Sequence, residues 1–386
     1  MPGENDMNAR VERLENRWSL EQLITGIELP AWLKILHRNR WNVSLAYAHR
    51  LAWIAGLGIC TGVLGTIERL MYNRAIRATP LDPPPLIILG HWRTGTTHLH
   101  NVLGRAPNHT FSTVYQAVFP STFLLTGRIG PKLLASALTE TRSYDAVKQG
   151  WFEAAEDEIG LLKLTGGLSF YPALMFPDRA EEYERYIDFQ DTSEAEQRRF
   201  KDALAYFVRK QMYASGGKRV VVKSCPHSAR IPLLLEVFPN ARFIHIHRHP
   251  ARVFASMVHM RGKVDWENFM HRPKRAFIEE RREHTALIGE RLFTRLLEDR
   301  ALIPPENLIE IAYRDFVGKE MSYTEQIYEQ FGLPGLEEYR PQLQQYLDGL
   351  RGYRTNRLEI DDDTLDFVRE RWGNVYEAYG YDRAEG

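Results

Sequence analysis

The sequence predicts an α/β protein with a P-loop-type parallel sheet flanked by helices and an N-terminal helical extension. Three observations lead to this fold class. Short apolar segments alternate with helical patterns along the chain, which is typical of a parallel sheet covered on both faces. A glycine-bounded turn joins the first apolar segment to a helix. The part of the chain before that segment, residues 1–80, shows helical patterns and no strand.

The first predicted strand is Leu86–Leu89, four apolar residues that follow three prolines. Such a run is typical of a strand buried on both faces. Gly90 ends the strand, and apolar residues recur at helical spacing from Leu99 to Leu103. A strand, a glycine-bounded turn and a helix together direct backbone N–H groups and a helix N-terminus at one anion. We therefore expect an anion-binding loop here.

The loop has the spacing of a nucleotide-binding P-loop, with Gly90 and Gly95 separated by four residues. A nucleoside-triphosphate loop needs a lysine after the second glycine, and this chain has Thr96 there. The positive charge lies inside the loop, on Arg93, and Thr94 adds a hydroxyl. The pattern favours a site for a single phosphate or sulfate group. A P-loop kinase or NTPase is the alternative function, and Thr96 argues against it.

The remaining elements continue the alternation of strands and helices. Further strands are predicted at Phe111–Tyr115, Arg219–Val222, Arg242–His247 and Asn307–Ala312. Helices are predicted at Trp151–Leu164, Glu181–Tyr213, Arg230–Val237, Pro250–Met260 and Met321–Phe331, and the aromatic segment Leu168–Pro177 is predicted to be a packed loop or a lid. Ligands of parallel sheets bind at the carboxyl ends of the strands. The first loop, Lys223, Arg248 and Tyr313 all fall at such ends.

Two motifs resemble the sulfotransferases that use 3′-phosphoadenosine 5′-phosphosulfate (PAPS). RTGTT at Arg93–Thr97 resembles their 5′-phosphosulfate loop, which places Thr94, Gly95, Thr96 and Thr97 beside the donor. RFIHIHRHPARVFASM at Arg242–Met257 resembles their 3′-phosphate element, in which an arginine is followed eight residues later by a serine, here Arg248 and Ser256. The resemblance covers roughly residues 85–380. It implies a PAPS-dependent sulfotransferase that transfers a sulfuryl group to a hydroxyl or amine.

The resemblance also implies roles for further residues. Lys223 matches a strand-end lysine that stabilises the leaving group together with Arg93. Tyr313 matches a tyrosine that contacts adenine. Arg354, in a basic loop near the C-terminus, matches a basic residue that contacts the 3′-phosphate in many members. An exposed basic loop without a ligand explains an arginine at this position nearly as well.

The general base is where this sequence departs from the family pattern. Cytosolic members carry a histidine where this chain has Cys225, and other members carry a glutamate in the region of Gln116. His227, Glu156 and Glu158 remain as candidates. On a helix, residues two apart point about 200° apart, so the two glutamates cannot both face one site. His227 is equally explained as a structural residue at a helix start. A catalytically silent nucleotide-binding or membrane scaffold is a further alternative.

Composition restricts the class of partner. Fifty basic residues balance fifty acidic residues over 386 residues, so we expect no nucleic-acid binding through bulk charge. The two cysteines, Cys60 and Cys225, form neither a metal-ligand spacing nor a disulfide framework. We therefore expect no metal and a reducing, cytoplasmic compartment.

We expect two parts in the chain, an N-terminal helical segment at residues 1–80 and a sulfotransferase domain at residues 81–386. Within the first part, Leu51–Ile67 contains seventeen residues without a charge. About 20 are usual for a membrane span, and the flanks are basic and rich in tryptophan. This pattern favours peripheral contact of residues 32–77 with the cytoplasmic face of a membrane. A buried core helix or an oligomer contact, and hence a homo-oligomer, is the alternative.

An enzyme at a membrane surface would meet lipid-like small molecules. The aromatic stretches Phe119–Leu125 and Phe170–Phe176 are suited to wall an apolar site. We therefore expect a hydrophobic or lipid-like acceptor, whose identity the sequence does not give.

Overall fold

The computed structural model of the protein describes residues 22–138, 150–350 and 358–382. At its centre is a sheet of five parallel strands in the order β2-β3-β1-β4-β5. The strands are β1 (Leu86–Leu89), β2 (His109–Phe111), β3 (Arg219–Lys223), β4 (Arg242–His247) and β5 (Leu308–Ala312).

Helices cover both faces of the sheet. Those before β3 are α1 (Leu29–Arg38), α2 (Ala48–Ala78), α3 (Thr96–Gly104), α4 (Val114–Val118), α5 (Phe123–Thr126), α6 (Gly130–Leu133), α7 (Asp157–Thr165), α8 (Pro172–Met175), α9 (Glu181–Glu184) and α10 (Glu194–Ser215). Those after it are α11 (Ile231–Val237), α12 (Pro250–Asn268), α13 (Arg275–Glu279), α14 (Arg281–Asp299), α15 (Tyr313–Phe316), α16 (Glu320–Phe331), α17 (Leu336–Gly349) and α18 (Asp362–Tyr379).

Strand β1 lies at the centre of the sheet, and all of its side chains are buried. Ile87 and Leu89 join the hydrophobic core on one face, and Leu86 and Ile88 join the core on the other. This division follows from the alternation of side chains along a strand. The strands that follow β1 in the chain, β2 and β3, lie on one side of it, and β4 and β5 lie on the other side. The loops after β1, β3 and β4 therefore meet in the crevice where such sheets bind ligands.

The predicted α/β fold is confirmed, and most predicted boundaries agree within a few residues. The second strand is displaced, because it spans His109–Phe111 rather than Phe111–Tyr115. Thr113 ends the extended segment by forming a capping box with Gln116, which starts helix α4.

Two predicted helices are shorter or divided. The helix predicted from Trp151 begins only at Asp157, because Ala154 and Ala155 pair with the backbone of Ser112 and Thr113 instead. The single helix predicted over Glu181–Tyr213 is two helices, α9 and α10. A capping box between Ser193 and Glu196 starts the second one afresh.

The N-terminal helices pack on the rest of the protein. Trp32 of α1 and Ile54 of α2 are fully buried and belong to the same hydrophobic core as Ile87 of the sheet. The segment Leu51–Ile67 lies within α2, a helix of 31 residues that is long and apolar enough to cross a membrane by length and composition. One face of α2 is buried against the protein. The division at residue 80 stays a prediction, although the described part of the N-terminal segment shares this core.

Candidate active site

The turn after β1 has the geometry of an anion-binding loop. Gly90 and Gly95 adopt positive φ angles of 149° and 101°. A Cβ at Gly95 would lie 2.3 Å from Cδ2 of Tyr313, so only glycine fits against this ring. Helix α3 begins directly after the loop, and its first N–H groups have no partners within the helix. Thr94 stabilises the turn by donating its hydroxyl to the carbonyl of His91 across 2.7 Å.

The structure brings the two sequence motifs together. Arg93 donates from Nε to Oγ of Ser256 across 2.9 Å. Arg248 donates from Nη1 to the carbonyl of Arg93 across 3.2 Å, and its guanidinium lies 4.7 Å from the ring centroid of Tyr313. Four predicted binding residues therefore lie side by side. Two guanidinium groups and a hydroxyl at one edge of the sheet match the needs of a phosphate ligand.

A second cluster lies at the end of β3. The Lys223 ammonium is 3.1 Å from Oε1 of Glu156 and donates to Oγ1 of Thr97 across 3.5 Å. Tyr171 donates its phenol to the other carboxylate oxygen, Oε2, across 2.6 Å, and Sγ of Cys225 lies 3.5 Å from Oε1. The ammonium thus lies between the anion loop and a carboxylate, which is the arrangement needed to handle a leaving group and an acceptor proton.

The electrostatics of Glu156 favour its ionised form. Burial raises the pKa of Glu156, but the Lys223 ammonium and the hydrogen bonds from Tyr171, Lys223 and Cys225 outweigh burial and bring the pKa below its usual value. Its neighbour Asp157 differs, because burial raises the pKa of that carboxyl to about 7 even though it accepts the backbone N–H of Lys223 across 2.7 Å. Of these two neighbouring residues, Glu156 is therefore the one whose ionised form its surroundings favour.

The other two predicted base candidates lie elsewhere. Glu158 is fully buried, accepts two hydrogen bonds from Arg230 across 2.6 and 3.0 Å, and accepts a third from Ser169. His227 is also fully buried, and burial together with the nearby Arg230 charge lowers its pKa well below the usual value. Neither ring nitrogen of His227 has a hydrogen-bond partner within the described ranges. The structure therefore places both residues in the core rather than beside Lys223.

The physical reason for this separation is the start of helix α7. Glu156 is the N-cap residue, with an extended backbone at φ −76° and ψ 135°, and Glu158 lies in the first helical turn, which faces inward. The helix predicted over Trp151–Leu164 included both residues, and this prediction was wrong for Glu156.

Sequence reasoning missed Tyr171. It lies in the segment Leu168–Pro177, predicted as a packed loop or lid, and it is only 7 % exposed. The segment is packed, with the short helix α8 inside it. Tyr171 lies in an aromatic run fifteen residues after Glu156, and nothing in the sequence indicates that the two side chains are in contact.

Arg354 lies outside the described residues. Within the described ranges, no group of three or more histidine, cysteine, aspartate or glutamate side chains is arranged to hold a metal ion.

Residues 84–338 match a family model described as the sulfotransferase family. The chain is 33 % identical over 361 residues to the omega-hydroxy-beta-dihydromenaquinone-9 sulfotransferase Stf3 of Mycobacterium bovis and of Mycobacterium tuberculosis, covering 94 % of this chain and 92 % of the relative. The chain therefore belongs to the sulfotransferase family, and it is a sulfotransferase enzyme.

Solved structures confirm the fold. Sulfotransferase STF1 of Mycobacterium tuberculosis superposes with a TM-score of 0.62 at 17 % identity, covering 89 % of this chain and 91 % of that one. Sulfotransferase STF9 of Mycobacterium avium superposes with a TM-score of 0.65 at 18 % identity and 83 % coverage of each chain. The alternative of a P-loop kinase or NTPase finds no support in these comparisons.

Proposed function

We propose that this sulfotransferase moves the sulfuryl group of PAPS by in-line transfer to a hydroxyl of a lipid-like acceptor. One observation carries the proposal. The Lys223 ammonium joins the anion loop, through Thr97, to the carboxylate of Glu156. A single side chain, Lys223, therefore contacts both the loop proposed to hold the donor and the carboxylate proposed to face the acceptor. A direct transfer requires that these two sides of the site lie close together.

The donor side is formed by two clusters of predicted binding residues. Arg93, Thr96, Thr97 and the N–H groups at the start of α3 would hold the 5′-phosphosulfate. Arg248 and Ser256 would hold the 3′-phosphate, and Tyr313 would contact the adenine. Their proximity in the structure supports this assignment. The role of Arg354 at the 3′-phosphate stays a prediction.

The transfer needs a base and a cation. The acceptor oxygen attacks sulfur while Glu156 takes the acceptor proton. The new sulfur–oxygen bond forms as the bond from sulfur to the 5′-phosphate oxygen breaks, and the electron pair remains on that oxygen. The Lys223 ammonium and the loop N–H groups stabilise the charge that develops there.

Lys223 also links the two ends of the reaction. In the structure its ammonium lies against Glu156, which lowers the pKa of that carboxyl. The same ammonium contacts Oγ1 of Thr97 across 3.5 Å, so one cation lies against both the proposed base and the donor side.

The proposed acceptor is hydrophobic. Stf3, the relative with 33 % identity, is named for a hydroxylated menaquinone, a lipid-like alcohol. In this chain, a row of aromatic rings begins at Tyr171, which lies beside Glu156. The ring centroid of Phe170 lies 6.4 Å from that of Tyr171 and 6.2 Å from that of Trp92. Exposed apolar side chains at Ile129, Leu133 and Phe152 lie in the segments before α7. An amine acceptor is the alternative to the hydroxyl.

We also propose that the enzyme acts in the cytoplasm at a membrane surface, where such an acceptor would be dissolved. A homo-oligomer stays a prediction.

The test uses the full chain with PAPS carrying an isotopically labelled sulfuryl group and an omega-hydroxylated isoprenoid quinone in detergent micelles. We expect a labelled sulfate ester and an equal amount of the released 3′,5′-bisphosphate. The Glu156→Gln variant should bind the bisphosphate and form little ester. Release of the bisphosphate without any sulfated quinone would contradict the proposed acceptor, and no release with any hydrophobic alcohol would contradict the proposed function.

A further inference from the structure

Helix α2 carries a continuous apolar face that the protein does not cover. Ile59, Val63, Ile67 and Leu70 recur at intervals of four, four and three residues, so they form one stripe along the helix. Their exposed fractions are 55, 58, 43 and 83 %. The neighbouring Leu64, Met71 and Trp53 are exposed as well. From Trp53 to Met71 this outer face extends about 27 Å along the helix axis.

The opposite face of α2 is fixed to the protein by buried charges. Arg50 is fully buried and donates to the carbonyl of Phe269 across 2.6 Å. Glu68 is 1 % exposed and forms a buried ion pair with Lys210 of α10. It also accepts the backbone N–H groups of Leu124 and Leu125. Removing these charges from their partners would be costly.

This anchoring determines how α2 can meet a bilayer. A membrane-spanning helix is surrounded by hydrocarbon. If α2 spanned the bilayer, the charged side chains of Arg50 and Glu68 would have to leave the protein and enter that hydrocarbon. Because both side chains stay inside the protein, α2 cannot span while the structure is intact. It can only lie along a surface, with the outer face towards the bilayer.

The sequence around the outer face is mainly basic. Over residues 28–78 it contains seven basic residues and two acidic residues, Glu28 and Glu68, each of which is held in an ion pair. Exposed basic residues occur on both sides of the apolar stripe in the sequence, with Arg40 before it and Arg74 and Arg77 after it. Arg69 beside the stripe is neutralised by Glu28, at 2.5 Å.

This charge distribution disfavours a second copy as the occupant. Two copies paired through the stripe by a two-fold axis would bring basic residues against basic residues in either direction of the helices, since both ends are basic. An anionic surface is attractive to both ends at once. Trp41, 54 % exposed, and Trp53 add side chains that are enriched at membrane–water interfaces.

We propose that the outer face of α2 is a docking surface for an anionic lipid bilayer, on which the helix lies in the plane of the interface. The inference deepens the proposed function, on which it rests for the lipid-like acceptor, because the bilayer is where that acceptor is dissolved. The apolar stripe enters the headgroup region and the flanking arginines contact anionic headgroups.

The test is co-sedimentation of the full chain with vesicles of phosphatidylcholine alone or of phosphatidylcholine with phosphatidylglycerol. We expect binding to the anionic vesicles that weakens as salt is added. The Ile59→Glu variant should bind at least about tenfold more weakly, because it places a charge in the stripe. Leu302→Glu is the matched control, since Leu302 is also 55 % exposed but lies outside α2, and it should bind as the unmodified chain does.

The outcomes separate this inference from the proposed function. Affinity for the 3′,5′-bisphosphate, measured by calorimetry, should be the same in Ile59→Glu and in the unmodified chain, which shows that the variant is folded. Equal vesicle binding by Ile59→Glu and the unmodified chain, or no binding by either, would overturn the docking surface. A dimer in light scattering that Ile59→Glu dissociates would also overturn it in favour of a second copy. Vesicle binding by a chain that transfers no sulfuryl group would leave the docking surface intact and contradict the proposed function.

Discussion

Arg93 donates a hydrogen bond from Nε to Oγ of Ser256 across 2.9 Å, although 163 residues separate them in the sequence. The bond joins the loop after β1 to helix α12, and thus the two motifs that carry the family resemblance. Arg248, within the second motif, donates to the backbone carbonyl of the same arginine. The two predicted phosphate-binding elements are therefore one site.

The first prediction concerns the 3′-phosphate. The protein should prefer the 3′,5′-bisphosphate to AMP, and Arg248→Ala should remove most of that preference. A hydrogen bond to a charged group contributes roughly 1.5–3 kcal/mol, which corresponds to a loss of about tenfold to more than hundredfold in affinity for the bisphosphate. Arg248→Lys keeps the positive charge but loses the paired N–H donors of the guanidinium, so its affinity for the bisphosphate should lie between those of Arg248→Ala and the unmodified chain. Calorimetry with both nucleotides measures this, and equal affinity of the unmodified chain for both would refute the assignment.

The second prediction concerns the close approach of Tyr313 to the loop. Gly95→Ala would place a methyl group 2.3 Å from the tyrosine ring at a φ of 101°, so we expect it to lose most bisphosphate affinity. Gly216→Ala is the control, because Gly216 also has a positive φ, 73°, but has no atom within 4 Å of the added Cβ. That variant should lose some stability and keep its affinity. Normal binding by Gly95→Ala would show that the loop is not held against Tyr313.

The third prediction separates the two glutamates. Glu156→Gln should lower turnover by roughly 10²–10⁴-fold with near-normal bisphosphate affinity, because it removes the proton acceptor and keeps the shape. Glu153→Gln, three residues earlier in an exposed ion pair with Arg105, should leave turnover unchanged. The account of the base fails if Glu156→Gln retains full turnover.

Glu158→Gln should act on stability instead. It leaves the buried Arg230 without its charged partner, which typically costs about 3–5 kcal/mol of the free energy of unfolding. Chemical denaturation followed by fluorescence measures this value. A stable Glu158→Gln protein with reduced turnover would place Glu158 in the chemistry and contradict the structure-based assignment.

The fourth prediction is a pH dependence set by Tyr171. The phenol donates to Glu156 and lowers the pKa of that carboxyl, so Tyr171→Phe should raise the pKa. Since the base works only when ionised, turnover falls as the pH falls through this pKa, and its acidic limb should move to higher pH in the variant. Tyr115→Phe, which removes a phenol bonded to Thr126, should leave the limb in place. An unmoved limb in Tyr171→Phe would show that the phenol does not tune Glu156.

Most of the fold could be predicted because its determinants are local. The apolar run Leu86–Leu89 and the following Gly90 give a strand and its end without reference to the rest of the chain. The displaced start of α7 could not be predicted in this way. It depends on pairing of Ala155 with Ser112, a contact between residues 43 positions apart.

The site could be predicted in part for the same reason. Arg93, Arg248 and Ser256 lie in two short motifs, and the resemblance of these motifs to those of the sulfotransferases identifies them. The choice among the three base candidates depends on which side chain Lys223 meets and which Arg230 neutralises, and these are contacts across the fold. The apolar segment of α2 is visible in the sequence, but the division into a buried and an exposed face requires the packing of α1, α5 and α10 against it.

The most direct test of the central claim is transfer of an isotopically labelled sulfuryl group from PAPS to an omega-hydroxylated isoprenoid quinone, followed by mass spectrometry of the lipid extract. The unmodified chain should give the labelled sulfate ester, Glu156→Gln should give little of it, and Glu153→Gln should match the unmodified chain. Equal ester formation by the Glu156→Gln and unmodified chains would contradict the proposed chemistry. Absence of ester with every hydroxylated lipid, from a chain that binds the 3′,5′-bisphosphate normally, would contradict the proposed acceptor class.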